Sequence, residues 1–210
     1  MDKTKIDWCD STWNPVTGCL HGCEYCYARN IAERFGGKQK YANIYEENES
    51  VIGADGKTLA YPHSFSPTLL KYRLNDYINK KGRNIFVCSM ADLFGKWVPD
   101  SWIEEVFKAC DKALQHNYLF LTKNPQRYVR LAEKGILRCS DNMWYGWSQT
   151  RSEDVKTLCF PCNLNLFISV EPILEQIHPS LEDWIIVGAE TGRRKNKVIP
   201  KREWIEQIVE

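Results

Sequence analysis

The chain has 210 residues, a formal net charge of +1, 43% hydrophobic and 26% charged residues. That length fits one large domain or two small ones, and buries roughly 70% of the unfolded surface without disulfide staples. Eight Trp, ten Tyr and eight Phe exclude a disordered chain. The near-zero net charge excludes a general polyanion binder. No apolar run approaches the ~20 residues that span a bilayer. MDKTKIDWCDSTW has no apolar stretch behind its lysines, which argues against a secretory leader and for a cytoplasmic protein.

Nine cysteines are unusual for such a chain, and an odd number argues against a full disulfide framework. Cys9, Cys88, Cys110 and Cys139 stand alone, and Cys88 and Cys110 lie in apolar segments where thiols act as small hydrophobes. Cys19, Cys23 and Cys26 form one cluster and Cys159 with Cys162 another.

The first cluster lies early, in the segment from Asn14 to Arg29, with the spacing C-x3-C-x2-C in a glycine-containing loop that leads into a helix. Three thiolates are one short of a closed structural zinc site. They fit a 4Fe–4S cluster whose fourth iron is left open to a small molecule. Two zinc arrangements stand beside this: the three cysteines with Cys9 or His21, or Cys23 and Cys26 with Cys159 and Cys162.

Further along, residues 38–64 read as a hairpin insertion turning at Ala54-Asp55-Gly56-Lys57. Pro67 opens an expected helix with Leu70, Leu74, Tyr77 and Ile78 on one face and Gly82 after its end. The runs 84–90, 118–122, 143–148, 164–170 and 184–189 are short and apolar on both faces, as buried parallel strands are. Between them, Asp100 is placed to cap a helix carrying Ile103, Val106, Phe107, Cys110, Ala113 and Leu114. Asn124-Pro125 starts another helix, which Gly135 stops. Residues 151–163 read as short or irregular helix, with either a Cys159–Cys162 disulfide or two inert thiols. Lys201 starts a helix to Glu210 with Ile205, Ile208 and Val209 still on its apolar face, as though a further element were missing. Strand–helix alternation of this kind gives a parallel sheet with helices outside, an α/β fold in a single domain over 1–210.

In such folds chemistry gathers at the C-terminal ends of the strands. Polar residues recur there: Ser89 and Asp92, Thr122 and Lys123, Ser148 and Gln149, Ser169 and Glu171, Glu190 and Thr191. Arg193-Arg194-Lys195-Asn196-Lys197 follows the last strand. It is either a phosphate grip, which admits a nucleotide or nucleic-acid substrate, or a solvated charged loop. The four histidines share no ligand spacing, and His21 reads as exposed.

With Tyr25 before its third cysteine, the cysteine loop resembles the signature of the radical S-adenosylmethionine (SAM) superfamily. Trp13 to Cys19, Cys26-Tyr27-Ala28, Ser89 to Phe94, Leu121-Thr122-Lys123, Ser169 to Pro172 and Val187 to Gly192 resemble a phage-associated three-cysteine-motif family of unknown function near that superfamily. The resemblance implies a (β/α) barrel, partial or lacking its last element, with the 4Fe–4S cluster on Cys19, Cys23 and Cys26. It implies SAM as cofactor, with Tyr25 beside the adenine and Ser169 or Glu171 at the ribose or methionine amine. An electron would come from a reductase or flavodoxin-type donor, and a 5′-deoxyadenosyl radical would act on a substrate the resemblance does not supply. Asp92, Lys123 and Glu190 are the candidate catalytic residues. The reading from another class is a zinc- or iron–sulfur-stabilised binding module without turnover.

Overall fold

The computed structural model describes residues 4–37, 43–154, 158–180, 184–191 and 194–209. Among the described residues nine strands occur in chain order: β1 Ser11–Trp13, β2 Val16–Thr17, β3 Tyr45–Glu47, β4 Thr68–Leu70, β5 Asn84–Val87, β6 Asn117–Thr122, β7 Met143–Ser148, β8 Asn165–Val170 and β9 Ile185–Val187. The helices are α1 Tyr27–Gly36, α2 Asp100–Asp111, α3 Gln126–Glu133 and α4 Arg202–Val209. Six strands form one sheet in the order β1-β5-β6-β7-β8-β9, and every neighbouring pair is parallel. The five apolar runs of the sequence are five of these strands. β2, β4 and β3 make a second, three-stranded sheet.

Strand side chains alternate between faces, and the two faces of the large sheet differ. One face carries Trp13, Ile85, Val87, Tyr118, Phe120 and Tyr145, packed against Trp102, Ile103, Val106, Phe107 and Cys110 of α2 and Tyr128 and Leu131 of α3. Each such buried side chain contributes about 1.5–3 kcal/mol. Further along the same face, Trp147, Ile168 and Val170 meet Trp204 and Ile208 of α4. The opposite face, with Phe86, Leu121, Ser148, Ser169 and Ile186, borders a cavity. Among the described residues no helix is long and apolar enough to cross a membrane.

Gly146, in mid-strand, sits opposite Phe167 of β8, and a Cβ there would fall within the Phe167 ring. The missing side chain lets that ring lie flat across the sheet, where its centroid is 4.9 Å from that of Trp184 and 6.1 Å from that of Trp8.

Several local expectations need correction. No α-helix follows Pro67. The Pro67 carbonyl accepts from Tyr45 N–H at 3.0 Å, Thr68–Leu70 pair with β2 and β3, and the chain then descends through successive i→i+3 turns to Lys80. Leu70 and Tyr77 still reach the core, so the apolar spacing marked burial and not helix. Asp100 is not a cap: α2 is preceded by Pro99, and the Asp100 carboxylate instead binds Arg127 at 2.5 Å and Lys134 at 2.6 Å. Leu114, one residue past the turn that ends that helix, is 66% exposed. α3 begins one residue after Pro125, and Asn124 turns its amide to the Phe94 carbonyl.

Other expectations hold. Gly135 (φ +68°) ends α3, with its N–H on Ala132 and that of Ile136 on Leu131. A small hairpin turns at Gly56, where Ile52 bridges Thr58. Ser152–Asp154 make a single 3-10 turn. Residues 38–42 and 155–157 and Glu210 lie outside the described residues.

Two outcomes follow from this packing. Gly146→Ala should cost about 1–3 kcal/mol in urea unfolding, because an added methyl overpacks Phe167. Asp100 is held below the usual carboxyl range, first by its hydrogen bond to Lys134 and also by Arg127. A depressed native pKa adds stability above the unfolded value of about 3.9, and that stability disappears as pH falls through the native value. Asp100→Asn should therefore lower stability at pH 7 by up to ~1 kcal/mol, and the gap should close in thermal melts run toward pH 2.

Candidate active-site cavity

The cysteine loop is fixed at both ends. Gly18 (φ +83°) donates its N–H to the Met90 carbonyl at 2.9 Å and passes so close to the Ser66 carbonyl that a Cβ would collide with it. Cys19 N–H then reaches the Phe65 carbonyl at 3.2 Å. At the other end Cys26 caps α1, its Sγ accepting from Arg29 N–H at 3.4 Å. Between them Gly22 (φ +75°) turns the chain. Cys19, Cys23 and Cys26 all line one cavity of about 830 Å³. Burial pushes the Cys19 thiol up to about 12 and raises that of Cys26, and charge on neighbouring thiols raises each further.

The donor set is soft and three-fold, which suits an iron–sulfur cluster with an open iron. Among the described residues no three His, Cys, Asp or Glu side chains are grouped so as to hold a metal ion. The second cysteine pair does not join the first. Cys162 is in a disulfide with Cys139, 23 residues away, and Cys159 is an exposed free thiol. That corrects both readings of the pair, a Cys159–Cys162 bridge or two inert thiols, and the reading of Cys139 as standing alone, and it leaves the zinc set of two C-x2-C pairs unassembled.

Asp92 joins the loop to the sheet. Its buried carboxylate accepts from Phe94 N–H at 3.0 Å, Thr122 hydroxyl at 2.7 Å and Lys123 N–H at 2.9 Å, and its Oδ2 lies 2.6 Å from His21 Nε2. His21, expected at the surface, is 22% exposed, and its ring stands edge-on to Trp97 at 4.8 Å. Asp92 thus holds the ends of β5 and β6 and the cysteine loop at one point.

The strand-end polar residues open onto the same cavity, except for Gln149. Gln149 is wholly buried and donates to Ser180 Oγ at 2.5 Å. Lys123 Nζ lies 5.3 Å from the Tyr25 ring centroid. Ser169 is buried at the end of β8, beside Ser148. Glu171 reaches over Gly188, where a Cβ would stand 2.8 Å from its Oε1. Desolvation by the cavity walls, with a smaller contribution from Asp7, raises the Glu171 carboxyl.

Glu190 is engaged. Arg194 Nε and Nη2 each donate to one of its oxygens at 2.7 Å, and Nη1 reaches Glu24 at 3.2 Å. The Arg194 hydrogen bond, foremost, holds Glu190 below the usual carboxyl range. Arg194 therefore ties the loop after β9 to the cysteine loop, its guanidinium engaged by two carboxylates, where the sequence reads residues 193–197 as either a phosphate grip or a solvated charged loop. Arg193 and Gly192 lie outside the described residues.

The sequence reading missed the cavity's aromatic wall and one of its acids. Trp8 packs on Phe86 at 4.6 Å and Trp184 on Phe167 at 4.9 Å, and the exposed Asp7 lines the same cavity. No spacing rule links residue 8 to residue 184; alternation in β5 and β8, which puts Phe86 and Phe167 on the non-helical face, was the available signal.

Asp92→Ala should cost about 3 kcal/mol in thermal or urea unfolding, since three buried donors lose their acceptor. Asp92→Asn should cost less, because one amide oxygen remains to accept.

The family described as a protein of unknown function (DUF5131) matches residues 3–210, and the chain belongs to that family. No curated protein and no solved structure matches the chain.

Proposed function

We propose that this DUF5131 chain is a radical SAM enzyme built on a partial (β/α) barrel. Cys19, Cys23 and Cys26 would hold a 4Fe–4S cluster, and the cavity would hold SAM and a substrate. The observation that carries the reading is the convergence of the three thiols and the polar strand ends on one cavity. The one-sided placement of α2, α3 and α4 on the large sheet supports the barrel. When bound on Cys19, Cys23 and Cys26, such a cluster would supply one-electron chemistry for reductive cleavage of SAM, with the electron drawn from a reductase or flavodoxin-type donor.

The chain's own residues would do the rest. Glu171, free of protein partners among the described residues, accepts from the methionine ammonium or the ribose hydroxyls, with Ser169 beside it. Tyr25 offers a face to the adenine, and Lys123 sets the orientation of that ring. Asp92 and Glu190 act through others: Asp92 positions His21 and the strand ends, and Glu190 positions Arg194. The aromatic wall excludes water from the far side of the cavity.

Iron and sulfide analysis after anaerobic reconstitution tests this. Cys19→Ala, Cys23→Ala and Cys26→Ala should each abolish loading, while Cys159→Ala and Cys162→Ala should load as the parent does. The loaded protein, reduced with dithionite, should release methionine and 5′-deoxyadenosine from SAM. Glu171→Ala should reduce that release with iron content intact. Zinc in place of iron, or a loaded protein that makes no 5′-deoxyadenosine, would refute the assignment.

A further inference from the structure

The cavity contains four carboxylates in two states. Asp92 and Glu190 are saturated by protein donors. Asp7 and Glu171 have no hydrogen-bond partner for their carboxylates among the described residues, and both face the cavity. The proposed function uses Glu171 for SAM and leaves Asp7 without a role.

Asp7 immediately precedes Trp8, and Trp8 begins a continuous aromatic wall. The Trp8 ring lies 4.6 Å from Phe86 and 6.1 Å from Phe167, and Phe167 lies 4.9 Å from Trp184. Phe86 and Phe167 are buried, so the two half-buried indoles present the wall to the cavity. Phe167 supports both and itself rests on Gly146. The surface is thus braced before any ligand arrives, which lowers the cost of ordering it. A volume near 830 Å³ is in the upper part of the roughly 300–1,000 Å³ range of small-molecule sites. It leaves room for a second, flat molecule beside a cofactor.

We propose that this wall, with the neighbouring Asp7 carboxylate, is the substrate subsite and takes the guanine-type ring of a nucleoside. The proposal rests on the radical reading of the same cavity for its role in turnover, but not for its binding chemistry. Aromatic faces stack with any base. The choice of ring comes from the acid. An ionised carboxylate only accepts, and its two oxygens match two adjacent N–H donors on one edge. Among the common bases, guanine alone offers that pair, at N1 and the 2-amino group. Adenine and cytosine place their amino donor beside a ring-nitrogen acceptor, and uracil sets its single N–H between two carbonyls, so each would put a lone pair against an Asp7 oxygen. Hypoxanthine keeps the N1–H donor and loses the second.

The test is equilibrium binding to the reconstituted full chain, read by tryptophan fluorescence and calorimetry, with guanosine, inosine and adenosine as probes. Guanosine should bind roughly tenfold or more tightly than inosine. Asp7→Asn should erase that preference. Trp8→Ala should weaken guanosine binding by roughly tenfold or more, and Trp8→Phe should restore most of it, with circular dichroism and iron content unchanged. Equal binding of guanosine and inosine, or a preference that survives Asp7→Asn, overturns the proposal. So does a Trp8→Ala variant that loses SAM and keeps guanosine, since the wall would then belong to the cofactor's adenine. The two readings fail separately: a loaded protein that cleaves SAM but binds no guanosine sinks the subsite alone. A protein that shows the guanosine preference but loads no iron sinks the radical chemistry alone.

Discussion

The geometry of the cavity depends on one buried carboxylate. Asp92 receives the Phe94 and Lys123 amides and the Thr122 hydroxyl and meets the His21 ring. Those groups come from three stretches of chain, and the His21 loop lies 71 residues from Asp92 itself. A carboxylate in a dry place costs several kcal/mol unless donors replace its water, so the fold must bring these donors together or lose stability. The same requirement fixes where the cysteine loop crosses the sheet. Gly18 and Cys19 add backbone anchors on Met90 and Phe65, and Cys26 binds the loop into the start of α1. Three thiols face one space because both ends of their loop and its middle are tied down.

The sheet explains why that space exists. Each parallel strand is flanked by others, so its residues have only two directions to face. The helices α2, α3 and α4 pack on one of them. The other would need covering by something apolar, and the aromatic wall is what the chain supplies. Polar residues cluster where strands end, because there the backbone leaves the ladder and side chains can leave the packed layers. Binding groups and core thereby occupy different ends of the same strands, as in open and closed parallel sheets generally.

What was legible in the sequence was local. Buried strands show as unbroken apolar runs, and five were found because both faces are covered. The cysteine loop was found because its three cysteines lie within eight residues of one another. The segment after Pro67 was misread because a 3.6-residue spacing of Leu70, Leu74 and Tyr77 is also produced by a short strand followed by turns. Only partners from residues 16–17 and 45–47 decide between the two. Asp100 looked like a cap for the same reason: the competing partners, Arg127 and Lys134, lie a helix away. Cys162 chose Cys139 over the nearer Cys159 through chain folding that no spacing encodes. The Asp92 junction and the Trp8–Trp184 wall belong to the same class, being relations between distant segments.

The distribution of charge in the cavity divides its acids by function. An acid whose lone pairs are filled by protein donors is fixed in place, and it contributes rigidity. Asp92 and Glu190 are of this kind, and Glu190 passes its rigidity through Arg194 to Glu24 in the cysteine loop. An acid that faces a partly desolvated space with no donor stores unfavourable energy that a ligand can relieve, so it contributes recognition. On the proposed reading Glu171 is of this kind, raised by desolvation and, to a smaller extent, by Asp7. Two unfilled acids in one cavity repel each other until donors arrive between or beside them. On the proposed reading the fold holds the cavity ready for molecules that bring N–H groups, while the braced indoles favour those that are flat.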